Sequence, residues 1–315
     1  MIETPPVTNR AGMKSNPSQV CLSIADILIN LRSADPELSL EIAGPASEFV
    51  VDCSLNPDIN ITVDWANSEV SLSGGQRLFD SGSTWQLYEL EDGRREFRLS
   101  APFSDWQPYK LARFDRDWTT GEILCQRRYF APGQSIHPLE YPLDEVLVSN
   151  LLAMNRGVEI HGCGLVDADG RGYLFPGQSG AGKSTTARLW AGLQGVRVLS
   201  DERIILRRAG SRVEMYGTPW HGDAKLSSRE RAPLNQVFFL GRGPTNELKL
   251  MSKAEAAARL FSCSFPPFYS RSGLEFTLEF LDDVTQRVSC DELRFVPDRS
   301  VVQFIREYAA SMRRK

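Results

Sequence analysis

The run YLFPGQSGAGKSTTARLW holds residues whose types and spacing suit phosphate chemistry. From Gly177 to Ser184 it fits the pattern GxxxxGK[ST]. Its glycines let successive backbone N–H groups turn toward an anion, and the N-terminus of a following helix adds its positive dipole end. Lys183 can then reach the β- and γ-phosphates of ATP, and Ser184 can ligate Mg²⁺. The residues predicted to bind the nucleotide are Gly177, Ser179, Gly180, Ala181, Gly182, Lys183, Ser184 and Thr185. The alternative is a glycine-rich helix start that binds nothing.

Such a loop requires a strand before it and a helix after it. The short apolar run from Tyr173 to Phe175 predicts the strand, and the pattern after Ser184 predicts an amphipathic helix that ends near Gly195. The motif therefore lies in the local context that it needs.

A phosphate site also needs an acid to hold the metal ion or to take a proton. The β-branched run VRVLSDERIIL predicts a strand that ends in Asp201 and Glu202. A strand that directly follows the P-loop helix forms a βαβ crossover, which places its carboxyl end beside the loop. The alternatives are a solvated acidic turn, or a site at Asp282-Asp283, which end the alternating run LEFTLEFL, interpreted as a strand.

A histidine precedes the loop in EIHGCGLVDADGRGYLF. If Asp169-Gly170 is a two-residue hairpin turn, His161 lies opposite Gln178 at the start of the phosphate loop. There the imidazole could orient a nucleophile or stabilise developing phosphoryl charge. The alternative is a hydrogen-bonded histidine of the sheet with no chemical role.

The letters LSGGQR at Leu72 to Arg77 match an element that clamps ATP in ABC-type ATPases. In those proteins the element follows the P-loop, whereas here it precedes the P-loop, and its flanks resemble strand and turn. We therefore predict that Gly74-Gly75 is a hairpin turn and that the match is a coincidence of letters.

The pattern of the chain changes near residue 140. Before this point, alternating runs around Asp92-Gly93 and Thr120-Gly121 predict antiparallel hairpins. After it, helical and strand patterns alternate as in an α/β domain. The predicted organisation is a disordered tail at 1–17, a β-rich N-terminal domain at 18–140 and a P-loop domain with a mixed sheet at 141–315.

Composition excludes several classes of protein. The net charge of −4 gives no electrostatic reason to expect nucleic acid or an anionic membrane as the main partner, and no apolar run is long enough for a membrane span. The six cysteines are scattered singly, which predicts reduced thiols in a cytoplasmic protein rather than a disulfide framework. The three histidines lack neighbouring ligands, so a transition-metal site is not expected.

Two further segments follow the acidic pair. The loop from Gly217 to Pro233 contains Lys225, Arg229 and Arg231, which suits a mobile lid that brings positive charge to phosphates. The alternative is a surface loop with Trp220 packed underneath. SKAE (252–255) predicts a helix start, and VVQFIREYAASMRRK predicts a terminal helix.

The runs IHG, GQSGAGKS and LSDE together resemble the catalytic domain of HPr kinase/phosphorylase. That family has a histidine before a GxSGxGKS loop and paired acids at the end of the next strand. The resemblance is specific over residues 157–206 and implies a P-loop fold akin to phosphoenolpyruvate carboxykinase. Thr185 stands where the family usually has Glu, Glu202 replaces a second Asp, and the first 140 residues show no such resemblance.

The resemblance also implies a function and a set of site residues. Asp201 would be the base for the acceptor hydroxyl, with His161 and Lys183 as the other catalytic residues, and Ser184, Glu202 and Asp201 would surround Mg²⁺. The predicted function is transfer of the γ-phosphoryl of ATP to a hydroxyl, of serine on a protein or peptide. The alternatives are a nucleotide-binding regulatory module without turnover and an ATPase coupled to assembly or transport.

Trp65, Trp85 and Trp106 could present the acceptor, or they could fill the core of the N-terminal domain.

Overall fold

The computed structural model describes residues 18–66, 72 and 74–312, so the predicted tail at 1–17 lies outside the described residues. Two large mixed sheets and several helices make this a mixed α/β protein that is mostly sheet.

Within the described residues, the first sheet has nine strands, all of them before residue 127. They are β1 (Gln19–Ile24), β2 (Ile27–Ser33), β3 (Val50–Val51), β4 (Ile59–Ala66), β5 (Gly75–Asp80), β6 (Trp85–Leu90), β7 (Arg95–Ser100), β8 (Pro108–Phe114) and β9 (Thr120–Gln126). Their order is β3-β1-β2-β4-β9-β8-β7-β6-β5, and β4 is parallel to both of its neighbours. In β4, Ile59, Ile61 and Val63 are buried and alternate with more exposed residues, as expected for a strand with one face on a core.

The second sheet has eight strands in the described part of the chain. They are β10 (Val158–Val166), β11 (Gly172–Pro176), β12 (Arg197–Ser200), β13 (Arg203–Ala209), β14 (Arg212–Tyr216), β15 (Arg231–Arg242), β16 (Glu247–Leu250) and β17 (Ser289–Phe295). The order is β11-β10-β13-β14-β15-β17-β16, and β12 also pairs with β10. Because β11 pairs in parallel with β15 as well, the strands from β11 round to β15 form a closed circuit.

The described helices are α1 (Leu143–Leu152), α2 (Lys183–Trp190), α3 (Lys253–Ser262), α4 (Arg271–Arg287) and α5 (Ser300–Met312). The predicted helix start at 252–255 is confirmed, because the Ser252 side chain accepts a hydrogen bond from the Glu255 N–H. The predicted terminal helix is α5. Short 3₁₀ helices lie at Gly44–Phe49, Pro102–Ser104 and Arg127–Tyr129.

The interpretation of LEFTLEFL as a strand is wrong, since these residues lie inside α4. Its buried residues include Phe276, Phe280 and Val284, which recur every four positions and so form one face of a helix. Asp283 then lies on the surface of that helix, paired with Arg208 and with the last residue of α4. Asp283 therefore belongs to surface ion pairs, and Asp282 is exposed on the same helix.

Both predicted hairpins exist, although one turn is displaced. Asp92-Gly93 lies in the loop between β6 and β7, as expected. Thr120 and Gly121 instead open β9, and the turn lies just before them. There the Asp115 carboxylate accepts the backbone N–H groups of Thr119 and Thr120, which stabilises a tight turn.

Gly74-Gly75 is not a hairpin turn. Gly75 begins β5, whose only described partner is β6, whereas β4 lies between β2 and β9. A Cβ at Gly75 would lie 2.5 Å from the Glu89 carbonyl oxygen, so this glycine permits a close approach of β6. Ser71 and Ser73 of this region lie outside the described residues. Gly75 therefore lies in a strand rather than at the start of a helix.

The two sheets share part of a core. Leu143, Leu147, Val148 and Leu151 of α1 are buried in the apolar cluster of the first sheet. Ile205, Tyr216 and Trp220 from the second half of the chain belong to the same cluster. The boundary between the two sheets thus lies in the segment between Gln126 and Val158. Helix α1 belongs to that segment and packs on the first sheet.

The prediction of six unpaired thiols is wrong for one pair. Cys21 and Cys53 are joined by a disulfide, with their Cα atoms 5.3 Å apart. Antiparallel pairing of β1 with β3 brings these distant residues together, and single spacings in a sequence do not show such pairing. Cys125, Cys163, Cys263 and Cys290 are free. None of the helices in the described ranges is long and apolar enough to cross a membrane.

Candidate active site

A cavity of about 750 Å³ lies where the P-loop, the Asp201-Glu202 turn and the first half of the chain meet. Ser179, Gly180, Gly182, Lys183, Ser184 and Thr185 line it from the loop. Glu202 and Arg203 line it from the turn. The predicted nucleotide residues Gly177 and Ala181 lie in the loop backbone outside this lining.

The loop has the backbone shape of an anion site. Gly180 and Gly182 have φ values of +82° and +109°, which L side chains rarely adopt. A Cβ at Gly182 would also approach the Phe295 ring at 3.3 Å. Gly182 accepts the first helical hydrogen bond, from Thr186 N–H at 2.8 Å, so α2 begins immediately after it. Glycine is therefore required for both the fold of the loop and the start of the helix.

Lys183 is the first residue of α2 and is buried at the edge of the cavity. Its Nζ donates a hydrogen bond of 3.2 Å to the Gln178 carbonyl oxygen, within the loop. Burial lowers the pKa of Lys183, and the nearby Glu202 carboxylate opposes that shift. A buried ammonium group next to backbone N–H groups is suited to phosphate oxygens.

The predicted crossover is confirmed. Strands β11 and β12 both pair antiparallel to β10 from opposite sides, so they are parallel to each other and α2 connects them. α2 ends at Trp190, a few residues before the predicted end near Gly195. The crossover brings the turn at Asp201 and Glu202 next to the loop.

The structure does not bring Asp201 to the cavity. Its side chain is fully buried, and its carboxylate accepts backbone N–H groups of Gly222 at 3.0 Å, Ala224 at 2.8 Å and Leu226 at 3.2 Å. These bonds compensate the buried charge and fix the segment that contains their donors. Asp201 is therefore a structural anchor in this arrangement, and its predicted position beside the metal ion and acceptor is not observed.

Glu202 faces the cavity and contacts His161. Nε2 of His161 lies 2.9 Å from Oε1 of Glu202, which also accepts a 3.0 Å hydrogen bond from Arg203. Burial, followed by the positive charge of Lys183, lowers the pKa of His161, while Glu202 opposes the shift. The lowered pKa favours the neutral imidazole, which lies behind the carboxylate, outside the lining of the cavity.

The predicted register around His161 is wrong by one residue. The turn has three residues, since Asp167 N–H donates to the Arg171 carbonyl and Gly170, with φ +83°, donates to Asp167. Gly162 consequently pairs with Pro176, and the His161 carbonyl accepts the Gly177 N–H at 3.2 Å. The histidine still lies beside the loop, because the extra turn residue shifts its neighbour by only one position.

Three charged residues near His161 and Glu202 were not predicted from the sequence. Arg203 Nε lies 3.0 Å from a Glu145 carboxylate oxygen and 3.3 Å from one of Glu159. Burial and the adjacent Glu145 raise the pKa of Glu159 well above its usual range. A glutamate inside the apolar strand run VEIHGCGLV is the one sequence signal that could have identified this cluster.

The loop after β14 does not bring its predicted positive charges to the cavity. Trp220 is buried, and its Nε1 donates a 2.7 Å hydrogen bond to Asp144 of α1. His221, Gly222 and Asp223 line the cavity. Arg231 bonds to Asp26, and neither Lys225 nor Arg229 is among the lining residues. The packed-tryptophan alternative is the one observed.

The first half of the chain forms the opposite wall. Ala43, Pro45, Ala46, His137 and Glu140 line the cavity there. Glu140 accepts a 2.6 Å hydrogen bond from the buried Lys110. Burial, then the Lys110 charge, lowers the pKa of His137 to about 4. The cavity therefore depends on both halves of the chain, which residue patterns in either half do not reveal.

Mg²⁺ would meet few protein ligands here. Within the described ranges, no group of three or more His, Cys, Asp or Glu side chains is arranged to hold a metal ion. The Ser184 hydroxyl and the Glu202 carboxylate do line one cavity, and both are hard oxygen ligands. Mg²⁺ in nucleotide sites commonly uses one or two such groups with phosphate oxygens and water, so this donor set fits the ion.

Comparison of the chain with protein-family models gave no match, and comparison with curated proteins gave no significant match.

Proposed function

We propose that this chain is an ATP-dependent phosphotransferase with an HPr-kinase-like P-loop fold. It would transfer the γ-phosphoryl group to a hydroxyl, of serine on a peptide or protein. The observation that supports this most is the common cavity of Lys183, Ser184 and Glu202, with His161 hydrogen-bonded behind the carboxylate. A phosphate site and a polarised acid–histidine pair at one place are what hydroxyl phosphorylation requires.

The proposal gives each residue a role. The amides around Gly180 and Gly182 and the Lys183 ammonium bind the β- and γ-phosphates and neutralise charge. Mg²⁺ held by Ser184, phosphate oxygens and water would supply further charge neutralisation when bound, which leaves the Glu202 carboxylate free to take a proton. Glu202 is the carboxylate placed to take the acceptor proton, while neutral His161 donates to Oε1 and fixes its orientation.

In this proposal the catalytic base is Glu202, whereas the sequence predicted Asp201. Three backbone N–H groups already occupy the carboxylate of Asp201, and a base must be accessible to the acceptor. The same observation favours a second candidate, a regulatory module that binds ATP without turnover, because the acid carried over by resemblance is committed to the structure.

Nucleotide binding is the first test. Mg·ATP should raise the melting temperature of the wild-type protein by mass action, and Lys183→Ala should remove most of that increase. Lys253→Ala is the matched control, because Lys253 is likewise the first residue of a helix but lies on α3. An equal ATP-induced increase in Lys183→Ala and wild type would contradict the site.

Transfer is the second test. Incubation with γ-labelled ATP, Mg²⁺ and a cell extract should place label on a polypeptide in a Lys183-dependent manner. Lys183-dependent ATP binding without label on any species and without ATP hydrolysis would favour the binding module.

A further inference from the structure

A second cavity, here called the aromatic groove, lies next to the cavity lined by Lys183, Ser184 and Glu202, which is here called the phosphate cavity. Its volume is about 280 Å³, and its aromatic walls are Phe79, Trp85, Tyr141, Phe265, Phe268 and Tyr269. These residues come from strands β5 and β6, the segment before α1 and the segment between α3 and α4. The roles proposed above leave this groove unused.

The groove is open and apolar. Tyr141 and Phe268 are 68% and 63% exposed, and Phe79 stacks on Trp85 with ring centroids 4.7 Å apart. Exposed aromatic residues grouped around one depression are typical of sites that bind a partner. Apolar residues scattered singly over a surface are common and carry no such meaning.

The groove adjoins the phosphate cavity. Tyr141, Glu145 and Arg203 line both. The Arg203 guanidinium lies 4.3 Å from the centre of the Phe265 ring, and the same group donates to Glu202. An acceptor whose hydroxyl reaches Glu202 therefore has its neighbouring atoms at the entrance of the groove.

We infer that the aromatic groove binds a large apolar side chain of a polypeptide acceptor, close in sequence to the serine that is phosphorylated. The groove has a volume of about 280 Å³ and is lined by aromatic rings, so it can accept one large apolar side chain of an extended peptide. A small alcohol confined to the phosphate cavity would leave the groove empty, whereas an extended peptide spans both. The inference rests on the proposed function and specifies its substrate class.

The test is a peptide library with a central serine in which one flanking position at a time is fixed to each amino acid. With γ-labelled ATP and Mg²⁺, the full-length protein should prefer Phe, Trp, Leu or Met at one flanking position by about tenfold or more over Ala. Phe268→Ala should reduce that preference several-fold while leaving the Mg·ATP-induced rise in melting temperature unchanged.

Phe103→Ala is the matched control, because Phe103 is 62% exposed and lies outside the groove. It should retain the wild-type preference. The inference is overturned if Phe268→Ala keeps the preference, if phosphorylated peptides show no apolar preference, or if no peptide is phosphorylated while the cell extract still gains Lys183-dependent label. Loss of Lys183-dependent ATP binding would instead overturn the proposed function, so the two failures are distinguishable.

Discussion

Asp201 and Glu202 are neighbours in the chain, yet they have opposite surroundings. Asp201 is buried under three backbone N–H groups, whereas Glu202 faces the cavity. We expect Asp201→Asn to lower the free energy of unfolding by about 1–3 kcal/mol, because the amide cannot accept all three bonds. We expect Glu202→Gln to leave stability nearly unchanged and to lower the transfer rate roughly 10²- to 10⁴-fold.

Urea unfolding and single-turnover transfer of label measure the two effects separately. Glu230→Gln, at an exposed residue that does not line the cavity, is the control for charge removal. A stable Asp201→Asn protein that binds ATP but has lost transfer would restore Asp201 as the base.

Glu159 makes stability depend on pH. Its pKa is raised above the ordinary value of 4.5 by burial and then by Glu145, so the folded state binds more protons than the unfolded state above that pH. Its contribution to stability is therefore fully present below pH 4.5 and is lost as the pH rises through the folded pKa. Glu159→Gln, which mimics the protonated acid, should gain stability relative to wild type as the pH increases from 4.5. Urea unfolding at several pH values measures this, and a pH-independent difference would contradict it.

At this scale, the sequence identified residues but not their orientation. Lys183 and Ser184 were predictable because the motif fixes their positions within one loop. The orientation of Asp201 depends on amides at positions 222, 224 and 226, which only the folded chain brings to it. Glu145 and Arg203 were missed for the same reason, since their contacts join α1 to the second sheet.

The P-loop backbone is the element on which the proposed phosphate site depends. Gly180 and Gly192 have nearly equal φ values of +82° and +80°, and a Cβ at either would meet nothing within 4 Å. Replacing either by Ala should therefore cost a similar 1–2 kcal/mol of backbone strain, by rough estimate. Only Gly180→Ala should also weaken Mg·ATP binding, since Gly180 lines the cavity and Gly192 does not.

Calorimetric titration measures the Mg·ATP affinity of both variants, whose backbone strain should be similar. Equal affinities for Gly180→Ala and Gly192→Ala would show that the left-handed residue of the loop is not needed for phosphate binding.

Among the elements, strand β11 and helix α2 were predictable because a short apolar run, a glycine loop and a helix start lie in one local segment. α4 was not, because LEFTLEFL satisfies both a two-residue and a four-residue period, and packing of Phe276 and Phe280 decides between them. The turn at 168–170 has three residues instead of the predicted two, because a three-residue loop also closes a stable hairpin.

The whole molecule should unfold as one unit despite its two sheets. α1 and Trp220 share the apolar core of the first sheet, and Tyr216 and Arg231 both bond to Asp26. Leu147→Ala should lower the free energy of unfolding by about 2–5 kcal/mol, whereas Leu278→Ala, an exposed site on α4, should change it by roughly 0.5 kcal/mol or less. Far-UV circular dichroism and tryptophan fluorescence should give coincident transitions in both variants. Two separated transitions would contradict a shared core.

The change of pattern near residue 140 located the division between sheets, but it could not show that α1 packs backward onto the first sheet. A fragment from Leu139 to Lys315 would therefore carry Leu147 and Trp220 without the surface that buries them.

The loop held by Asp201 also has a consequence for communication within the molecule. It contacts the phosphate cavity through Gly222 and reaches α1 through the Trp220–Asp144 hydrogen bond. If a bound nucleotide shifts this loop, the Trp220–Asp144 bond would carry that shift to α1 and to its docking on the first sheet. By thermodynamic reciprocity, a change in the docking of α1 would then alter nucleotide affinity by the same factor.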